Sequence, residues 1–411
     1  MAPTFLFLLL ISSLLIPSYT QNLQNPDQES FISILISQNG LDFIKNLLIT
    51  KAISSIIPLK LPNIEKTAKI PFLGNVDMVV SNFTIYEINV LSSYVKPGDS
   101  GIAIIASGTT CNLSMNWYYQ YSTWLLPVEI ADKGRASVQV EGMQVGLSLG
   151  LENQNGTLKL SLMDCGCYVK DISIKLDGGA SWLYQGMIDA FEEQIGAAVE
   201  SAITKKLREA ILEFDSFLQA LPKEIPVDDN ASLNVTFVKD PSLSNSTIGF
   251  NINGLFTAKE KIPVPMLNYK NSQPSVFCTD PSKMLGISLD EAVFNSASAL
   301  YYDDIRGSGS VRISGNKLGG SVKLIDFSMS LKWSNVGNLR LYLVQPVMWT
   351  LIQTVFLPYA NAHLGQGFPL PIIRGFTLQN AEIILSSATI TVCSDLEFTE
   401  SQAINQLVPE F

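Results

Sequence analysis

Hydrophobic residues recur at intervals of three and four near the start of the chain, from Phe31 to Ile57. This spacing puts them on one helix face and predicts a single amphipathic helix, which Pro58 ends because proline lacks the backbone N–H that a helix requires. After Lys69 the period changes, and short runs rich in Val, Ile and Thr alternate with polar residues as far as Lys175. Such alternation predicts a meander of antiparallel strands.

The longest apolar stripe of the chain follows these strands. Charged residues lie mostly opposite it, so the pattern predicts one long helix. Its members are Leu183, Ile188, Phe191, Ile195, Val199, Ile203, Leu207, Ile211, Phe214 and Leu218. Pro222, Pro226 and Pro241 then indicate a linker from about Leu221 to Asn245.

The second half of the chain repeats this order in outline. Strands at 247–260 precede a predicted helix from Asp280 to Tyr302, more strands at 308–333, an apolar helix from about Leu343 to Leu364, and closing strands. Gln345, Pro346 and Gln353 interrupt the apolar helix, which favours a half-buried helix over a membrane span. An ordered repeat of this size predicts a duplicated unit with pseudo-twofold symmetry.

The N-terminus and the sequons indicate a secreted glycoprotein. An apolar core from Phe5 to Ile16, followed by small residues, is typical of a signal peptide. Glycans attach where the chain faces solvent. The Asn-x-Ser/Thr acceptors are Asn82, Asn112, Asn155, Asn230, Asn234 and Asn245. The sequence therefore predicts a secreted, extracellular protein, and its length suffices for two packed domains.

Charge and side-chain chemistry exclude several classes of function. A net charge of -10 argues against nucleic acid as a partner, since phosphate binding needs clustered Lys and Arg. His363 is the only histidine, and no GxSxG nucleophile, HExxH motif or phosphate-binding glycine loop occurs. We therefore expect no enzyme activity, no metal site and no cofactor. Five cysteines in an oxidising compartment permit two disulfides and one free thiol.

The stretch WYYQYSTW, from Trp117 to Trp124, has five aromatic rings in eight residues. No Asp, Glu, Lys or Arg occurs between Ser100 and Val128. One interpretation is a membrane-facing hairpin whose Trp and Tyr rings lie at the lipid interface. The other is strand packing, with Trp117, Tyr119 and Tyr121 on one face and Trp124 on the other.

Three segments resemble a known family when taken together. ISQNGLDFIKNLL, VQVEGMQVGLSL and GFPLPIIRGFTLQNAEI are similar to motifs of the bactericidal/permeability-increasing protein and lipopolysaccharide-binding protein family, in its plant branch. The resemblance implies an α+β fold: a two-domain boomerang of antiparallel β-barrels, each packed by long helices and joined by a central sheet. It implies a signal peptide at 1–20, an N-terminal lipid-binding barrel at 21–220, a proline-containing linker and central-sheet strand at 221–248, and a C-terminal barrel with the closing central-sheet strands at 249–411.

The resemblance also implies an apolar pocket for lipid acyl chains between barrel and helix. We expect it to be lined by Phe31, Ile34, Leu35, Leu41, Ile44, Leu48, Ile188, Phe191 and Ile195. The implied partners are lipopolysaccharide and phospholipid, with transient contact to a membrane surface; the sequence does not identify a protein partner. Candidates for head-group or membrane contact are Lys45, Lys51, Lys60, Lys96, Trp117, Tyr119, Tyr121, Trp124, Lys133 and Arg135.

The chain departs from the family pattern in three respects. Aromatic rings occupy the hairpin where lipopolysaccharide-neutralising members carry Lys and Arg. The family disulfide maps to Cys165 or Cys167, but its partner position is Leu212, which leaves Cys111 as a substitute. The second half is short, because Asp303 is followed closely by Ile305 and Arg306 where the family continues with helix and strands, so the second barrel is expected to be incomplete.

These departures leave other functions open. An endogenous phospholipid or sterol carrier without lipopolysaccharide recognition agrees with the acidic net charge and the aromatic hairpin. An interaction protein that presents a sheet edge to a receptor would bind no lipid. A hydrolase would depend on His363 or a pocket serine.

Overall fold

The computed structural model describes residues 29–70, 74–98, 101–122, 129–176, 181–227, 231–258, 275–301, 306–326 and 341–399. The signal peptide predicted at 1–20 lies outside them. The helices are α1 Gln38–Ile56, α2 Ser181–Gln219, α3 Glu291–Tyr301, α4 Leu341–Leu351 and α5 Leu357–Gln366, with a π-helical turn at Ile352–Phe356. In the N-terminal half the strands are β1 Ile32–Ile36, β2 Leu59–Lys60, β3 Ile64–Ile70, β4 Gly74–Asn89, β5 Ser92–Gly98, β6 Gly101–Ser122, β7 Glu129–Gln154, β8 Thr157–Tyr168 and β9 Asp171–Leu176. They are followed by β10 Glu224–Pro226, β11 Ala231–Asn234, β12 Ser242–Leu243, β13 Ile248–Ile252, β14 Phe256–Ala258, β15 Leu285–Asp290, β16 Arg306–Ser314, β17 Lys317–Asp326, β18 Phe368–Pro369, β19 Phe376–Leu385 and β20 Thr389–Phe398.

The predicted antiparallel meander forms an eight-stranded sheet. Its main order is β2-β4-β6-β7-β8, with β3 beside β4, β5 beside β6 and β9 beside β7. The long strands β6 and β7 bend near Gly108 and Gly142, both at φ 64°, where the β6–β7 register shifts. Bulges of this kind curve a sheet around its core.

The long helix α2 covers this sheet and confirms the helix predicted from the apolar stripe. Phe191, Ile195, Val199 and Ile203 are buried against strands of the barrel and form its core. A stripe of this spacing needs an apolar surface opposite it, and the inward side chains of the strands supply that surface.

The helix predicted over 31–57 is wrong in its first part. Residues Ile32–Ile36 form strand β1, and α1 begins only after Ser37, whose Oγ accepts a hydrogen bond from the Gly40 N–H. The run FISILI is apolar on both faces and rich in β-branched residues, so it satisfies a helical period as well as that of a buried strand. Pairing with β13 and β15 gives this run its strand conformation.

A six-stranded sheet joins the two halves of the chain, in the order β12-β13-β1-β15-β20-β19. The helix predicted from Asp280 is also wrong at its start, because all six residues of β15 are buried in this sheet and α3 begins at Glu291. The α+β class and the antiparallel sheets are confirmed.

The apolar helix predicted from Leu343 to Leu364 is confirmed as α4, the π-helical turn and α5. It lies beside the β16–β17 hairpin, where the Asn361 side chain bonds both backbone groups of Val322. In the part of the chain that the structure describes, none of the helices combines the length and apolarity needed to cross a membrane.

A disulfide joins Cys278 to Cys393 and fastens the segment before β15 to strand β20. The predicted candidates Cys111, Cys165 and Cys167 are free thiols, so that prediction is wrong. Cys111 lies on β6 and the other two on β8, with β7 between them. Strands two places apart are about 10 Å apart, which exceeds the Cα separation that a disulfide spans.

Candidate functional site

An apolar cleft lies between the first turns of α2 and the barrel. Strands β4, β6 and β9 supply its remaining walls, and the cleft is partly open to solvent. The lining residues are Met78, Val79, Val80, Met115, Trp117, Tyr118, Ile174, Leu176, Ile188 and Phe191.

Strand alternation brings bulky side chains to the cleft. Met115, Trp117 and Tyr119 occupy every second position of β6 and are buried; the first two line the cleft, and Tyr119 packs in the adjoining core. Val80 and Met78 of β4 lie opposite Trp117 and Tyr119 in the register. Because paired residues of neighbouring strands share a face, these side chains form one continuous apolar wall.

Three aromatic rings stack along that wall. The Trp117 and Tyr119 ring centroids are 5.9 Å apart with planes at 6°, and those of Tyr119 and Tyr121 are 6.2 Å apart at 22°. Trp117 Nε1–H donates to the Arg135 carbonyl at 3.0 Å. Gly134 lies opposite Trp117 in the register, and a Cβ there would lie 2.5 Å from Trp117 Cζ2. The indole ring can therefore occupy this position only because residue 134 is a glycine.

This geometry decides between the two interpretations of the aromatic stretch for most of its residues. Trp117 and Tyr119 are each only 7% exposed, and Tyr121 is half-buried on the same face. Membrane contact by Trp117 and Tyr119 is therefore wrong, and the strand-packing alternative holds for them. Tyr118, at the intervening position of β6, also lines the cleft and is 38% exposed. Trp124 lies outside the described residues.

The structure brings together part of the predicted pocket set. Ile188 and Phe191 line the cleft, and Ile195 is fully buried in the core beside it. Leu41 packs instead with Val95 in a separate cluster. Also on α1, Ile44 is half-buried and Leu48 is exposed.

Phe31, Ile34 and Leu35 belong to a different part of the molecule. Ile34 and Leu35 lie on β1 in the central sheet, and Phe31 directly precedes that strand in the second core. The run 31–57 satisfies a single helical period, which predicts these three residues on the pocket-lining helix, and the strand at its start removes them from the cleft.

Lys45 does not have the head-group role predicted for it. It is 6% exposed, and its Nζ donates to Asp42 Oδ1 at 3.1 Å and to the Ser93 carbonyl at 2.8 Å. A buried lysine requires such partners because desolvation of an unpaired charge is costly. The side chain therefore ties α1 to β5.

The remaining predicted cations lie on β2, β5, β7 and α1. Lys133 and Arg135 are exposed on β7, opposite Tyr118 and Asn116 of the cleft strand β6. Lys60 and Lys96 are exposed on β2 and β5, and Lys51 is half-buried on α1. Lys133 and Arg135 are thus the two predicted cations that pair directly with the segment of β6 at the cleft.

The free thiols of the barrel are chemically protected. Burial raises the pKa of Cys111 to about 12, with a further contribution from Cys167. Burial, followed by the Glu200 carboxylate, raises the pKa of Cys167 to about 12, and burial also raises the pKa of Cys165. Because the thiolate is the reactive form, these cysteines are inert packing residues at neutral pH.

The sequons differ in exposure. Asn82, Asn155 and Asn245 are exposed. Asn112 is half-buried and donates to Glu87 Oε2 at 2.7 Å; this bond, followed by one from Asn89, lowers the pKa of Glu87. Asn234 accepts hydrogen bonds from Thr236, and Asn230 lies outside the described residues. Of the five acceptors that the structure describes, these three are exposed to solvent.

Comparison with known proteins matches both halves of the chain to one family. Residues 40–221 match the LBP / BPI / CETP family, N-terminal domain, and residues 304–398 match its C-terminal domain. A BPI/LBP family protein of Arabidopsis thaliana is 54% identical over 97% of this chain and 97% of its own length. Bactericidal permeability-increasing protein of Sebastes schlegelii is 21% identical over 90% of this chain and 95% of its own length.

A solved structure agrees in fold. The crystal structure of lipopolysaccharide binding protein superposes with a TM-score of 0.70 at 15% identity, over 90% of this chain and 99% of that chain. The alignment with the Arabidopsis relative spans 480 positions, whereas 97% of 411 residues is about 399, so about 80 positions fall opposite gaps in this chain.

Proposed function

Because the chain belongs to the LBP/BPI/CETP family of lipid-binding proteins, we propose that it is a secreted protein whose N-terminal cleft binds the acyl chains of lipid A and phospholipid. The observation that carries the proposal is the apolar cleft beneath α2, with its continuous wall of methionine and aromatic side chains. A role in innate immune defence follows if lipopolysaccharide is the physiological ligand. The apolar core at 5–16 and the six sequons support secretion.

The cleft suits exchange of lipid better than chemistry on it. Burial of an acyl methylene is worth about 0.8 kcal/mol relative to water, so an exposed chain is unfavourable, whereas transfer from a bilayer to a cleft of similar apolarity is nearly neutral. Among the described residues, the side chains that line the cleft include no charged group that could act as an acid or base. We therefore propose reversible lipid binding or transfer.

The binding site that we propose differs from the one predicted from sequence. Ile188 and Phe191 remain in it, while Met78, Val80, Met115 and Trp117 replace the residues that lie on α1 and β1. Lys133 and Arg135 are the candidates for contact with lipid A phosphates, because they are exposed and pair directly with the segment of β6 at the cleft.

Neutral lipid carriage is the second candidate function. The aromatic wall offers flat apolar surface to a phospholipid chain or a sterol, and few cations adjoin it in a chain of net charge -10. Such a carrier would bind independently of salt, because exposed charges contribute little once screened beyond about 8 Å.

Binding of lipid A by the purified full chain across a salt series, with neutral phospholipid as competitor, separates these functions. We expect affinity to fall as salt rises and to fall further in Lys133→Gln/Arg135→Gln, while the exposed Lys239→Gln serves as the matched control. Phe191→Asp should abolish binding of every lipid because it places a charge in the cleft. Salt-independent binding of phospholipid alone would support neutral carriage, and absence of any lipid binding would refute the lipid-binding proposal.

A further inference from the structure

The apolar helix of the second half exposes a continuous stripe, which we call the helix stripe: Val347, Leu351, Val355 and Tyr359. Their exposed fractions are 65%, 52%, 61% and 58%. No Asp, Glu, Lys or Arg occurs from Leu341 to Gln366. An exposed apolar surface of this kind usually indicates an interaction site.

The π-helical turn keeps the stripe on one face. Four residues of an α-helix advance by more than one turn, so residues spaced by four drift around the axis. A π-helical turn is wider, at about 4.4 residues per turn, and shifts the phase in the opposite sense. The π-helical turn at Ile352–Phe356 lies between Leu351 and Tyr359 and offsets that drift.

The opposite face of the helix is fixed to the protein. Ile352 and Ala360 are buried. Asn361 Oδ1 accepts from the Val322 N–H at 2.7 Å, and its Nδ2 donates to the Val322 carbonyl at 3.0 Å. The side of the helix that carries the stripe therefore faces away from the β16–β17 hairpin.

The same hairpin carries three exposed cations, which we call the basic face: Arg312, Lys317 and Lys323. Arg312 pairs with Gly319 in the register, two positions from Lys317 and four from Lys323, so all three share one side of the hairpin. Val311, Ile313 and Leu318 occupy the other side and pack into the second core. Arg312 Nη2 donates to the Gly365 carbonyl at 3.0 Å, so the basic face adjoins the end of the helix.

We propose that the helix stripe and the basic face together dock the protein onto an anionic phospholipid bilayer. An apolar helix face inserts into the region between head groups and acyl chains, and adjacent cations attract anionic head groups. A second copy of the chain is a poorer occupant of this surface. A twofold interface would place the basic face of one copy close to the basic face of the other, and these like charges repel. This surface is separate from the cleft, and docking through it would bring the cleft close to a membrane.

Flotation of the full chain with vesicles tests this proposal. We expect binding to phosphatidylcholine vesicles that contain phosphatidylserine and weak binding to phosphatidylcholine alone. Leu351→Asp/Val355→Asp should reduce binding by about tenfold or more, since burial of each side chain is lost. Lys317→Gln/Lys323→Gln should reduce it by about fivefold per lysine, and only for the anionic vesicles.

The controls separate this surface from the cleft and from misfolding. Leu385→Asp, an equally exposed leucine on β19, should bind vesicles as the wild type does. If the aspartate variant unfolds, Val355→Ser should still show partial loss. The amount of lipid bound in the cleft should be the same in all stripe variants as in the wild type. The proposal is overturned if the wild type does not float, if the folded stripe variants float normally, or if the stripe instead mediates dimers in sedimentation without vesicle binding.

Discussion

At the scale of single residues, the cleft depends on a glycine that sequence patterns do not single out. Gly134 leaves space for the Trp117 indole, and a Cβ would approach its ring atoms to 2.5 Å. We expect Gly134→Ala to lower the free energy of unfolding by about 1–3 kcal/mol, because the ring must leave its well-packed position. Urea denaturation measures this.

Gly146 supplies the matched control for that substitution. It lies on the same strand, and a Cβ there would meet nothing within 4 Å. We expect Gly146→Ala to leave stability almost unchanged. Equal stabilities for the two alanine variants would contradict the packing role of Gly134.

The buried thiols give a prediction about pH. Cys111 and Cys167 have pKa values raised to about 12 from an ordinary value of 9.0, so the folded state holds protons that the unfolded state releases between those values. Their contribution to stability is complete below pH 9 and is lost as pH rises toward 12. Iodoacetamide labelling at pH 8 should be far slower in the native protein than in urea, as mass spectrometry will show. Equal labelling rates in the two states would show that these thiols are accessible.

At the scale of secondary structure, the sequence was informative where one period dominates. The stripe of α2 and the apolar helix at 341–366 were predicted from spacing alone, because each presents one apolar face over many turns. The sequences of β1 and β15 also satisfy a helical period, because both faces of β15 are buried and those of β1 are buried or half-buried. Only pairing with distant strands distinguishes such a strand from a helix.

Asn361 holds the last helix to the hairpin through two hydrogen bonds to one backbone residue. We expect Asn361→Ala to cost about 1–3 kcal/mol, because it leaves both backbone groups of Val322 without these bonds. Hydrogen exchange at the Val322 amide should accelerate. Asn361→Asp, which keeps the acceptor and loses the donor, should give an intermediate effect, and unchanged exchange in both variants would show that other contacts hold the helix.

At the scale of the whole molecule, the central sheet shows which features of the fold local sequence patterns do not predict. Ile32 pairs with both Ile252 and Leu289, partners more than two hundred positions away, and no local pattern encodes such a register. The order of helices and strands still indicated two related halves, because that order is local. The cleft residues on β4 and β9 were missed for the same reason: alternation shows that a residue faces inward, but the fold decides whether it meets core or cleft.

The disulfide also joins parts of the chain that are distant in sequence. Cys278 and Cys393 lie 115 residues apart and join the segment before β15 to β20, its neighbour in the central sheet. A cross-link over so long a loop restricts the unfolded chain, so we expect Cys278→Ser/Cys393→Ser to lose about 2–4 kcal/mol of unfolding free energy. Cys167→Ala, which removes a free thiol, should lose less. The cleft belongs to the separate core of the barrel, so lipid binding should persist at temperatures where the variant stays folded. Loss of lipid binding by a folded variant would show that the central sheet controls the cleft.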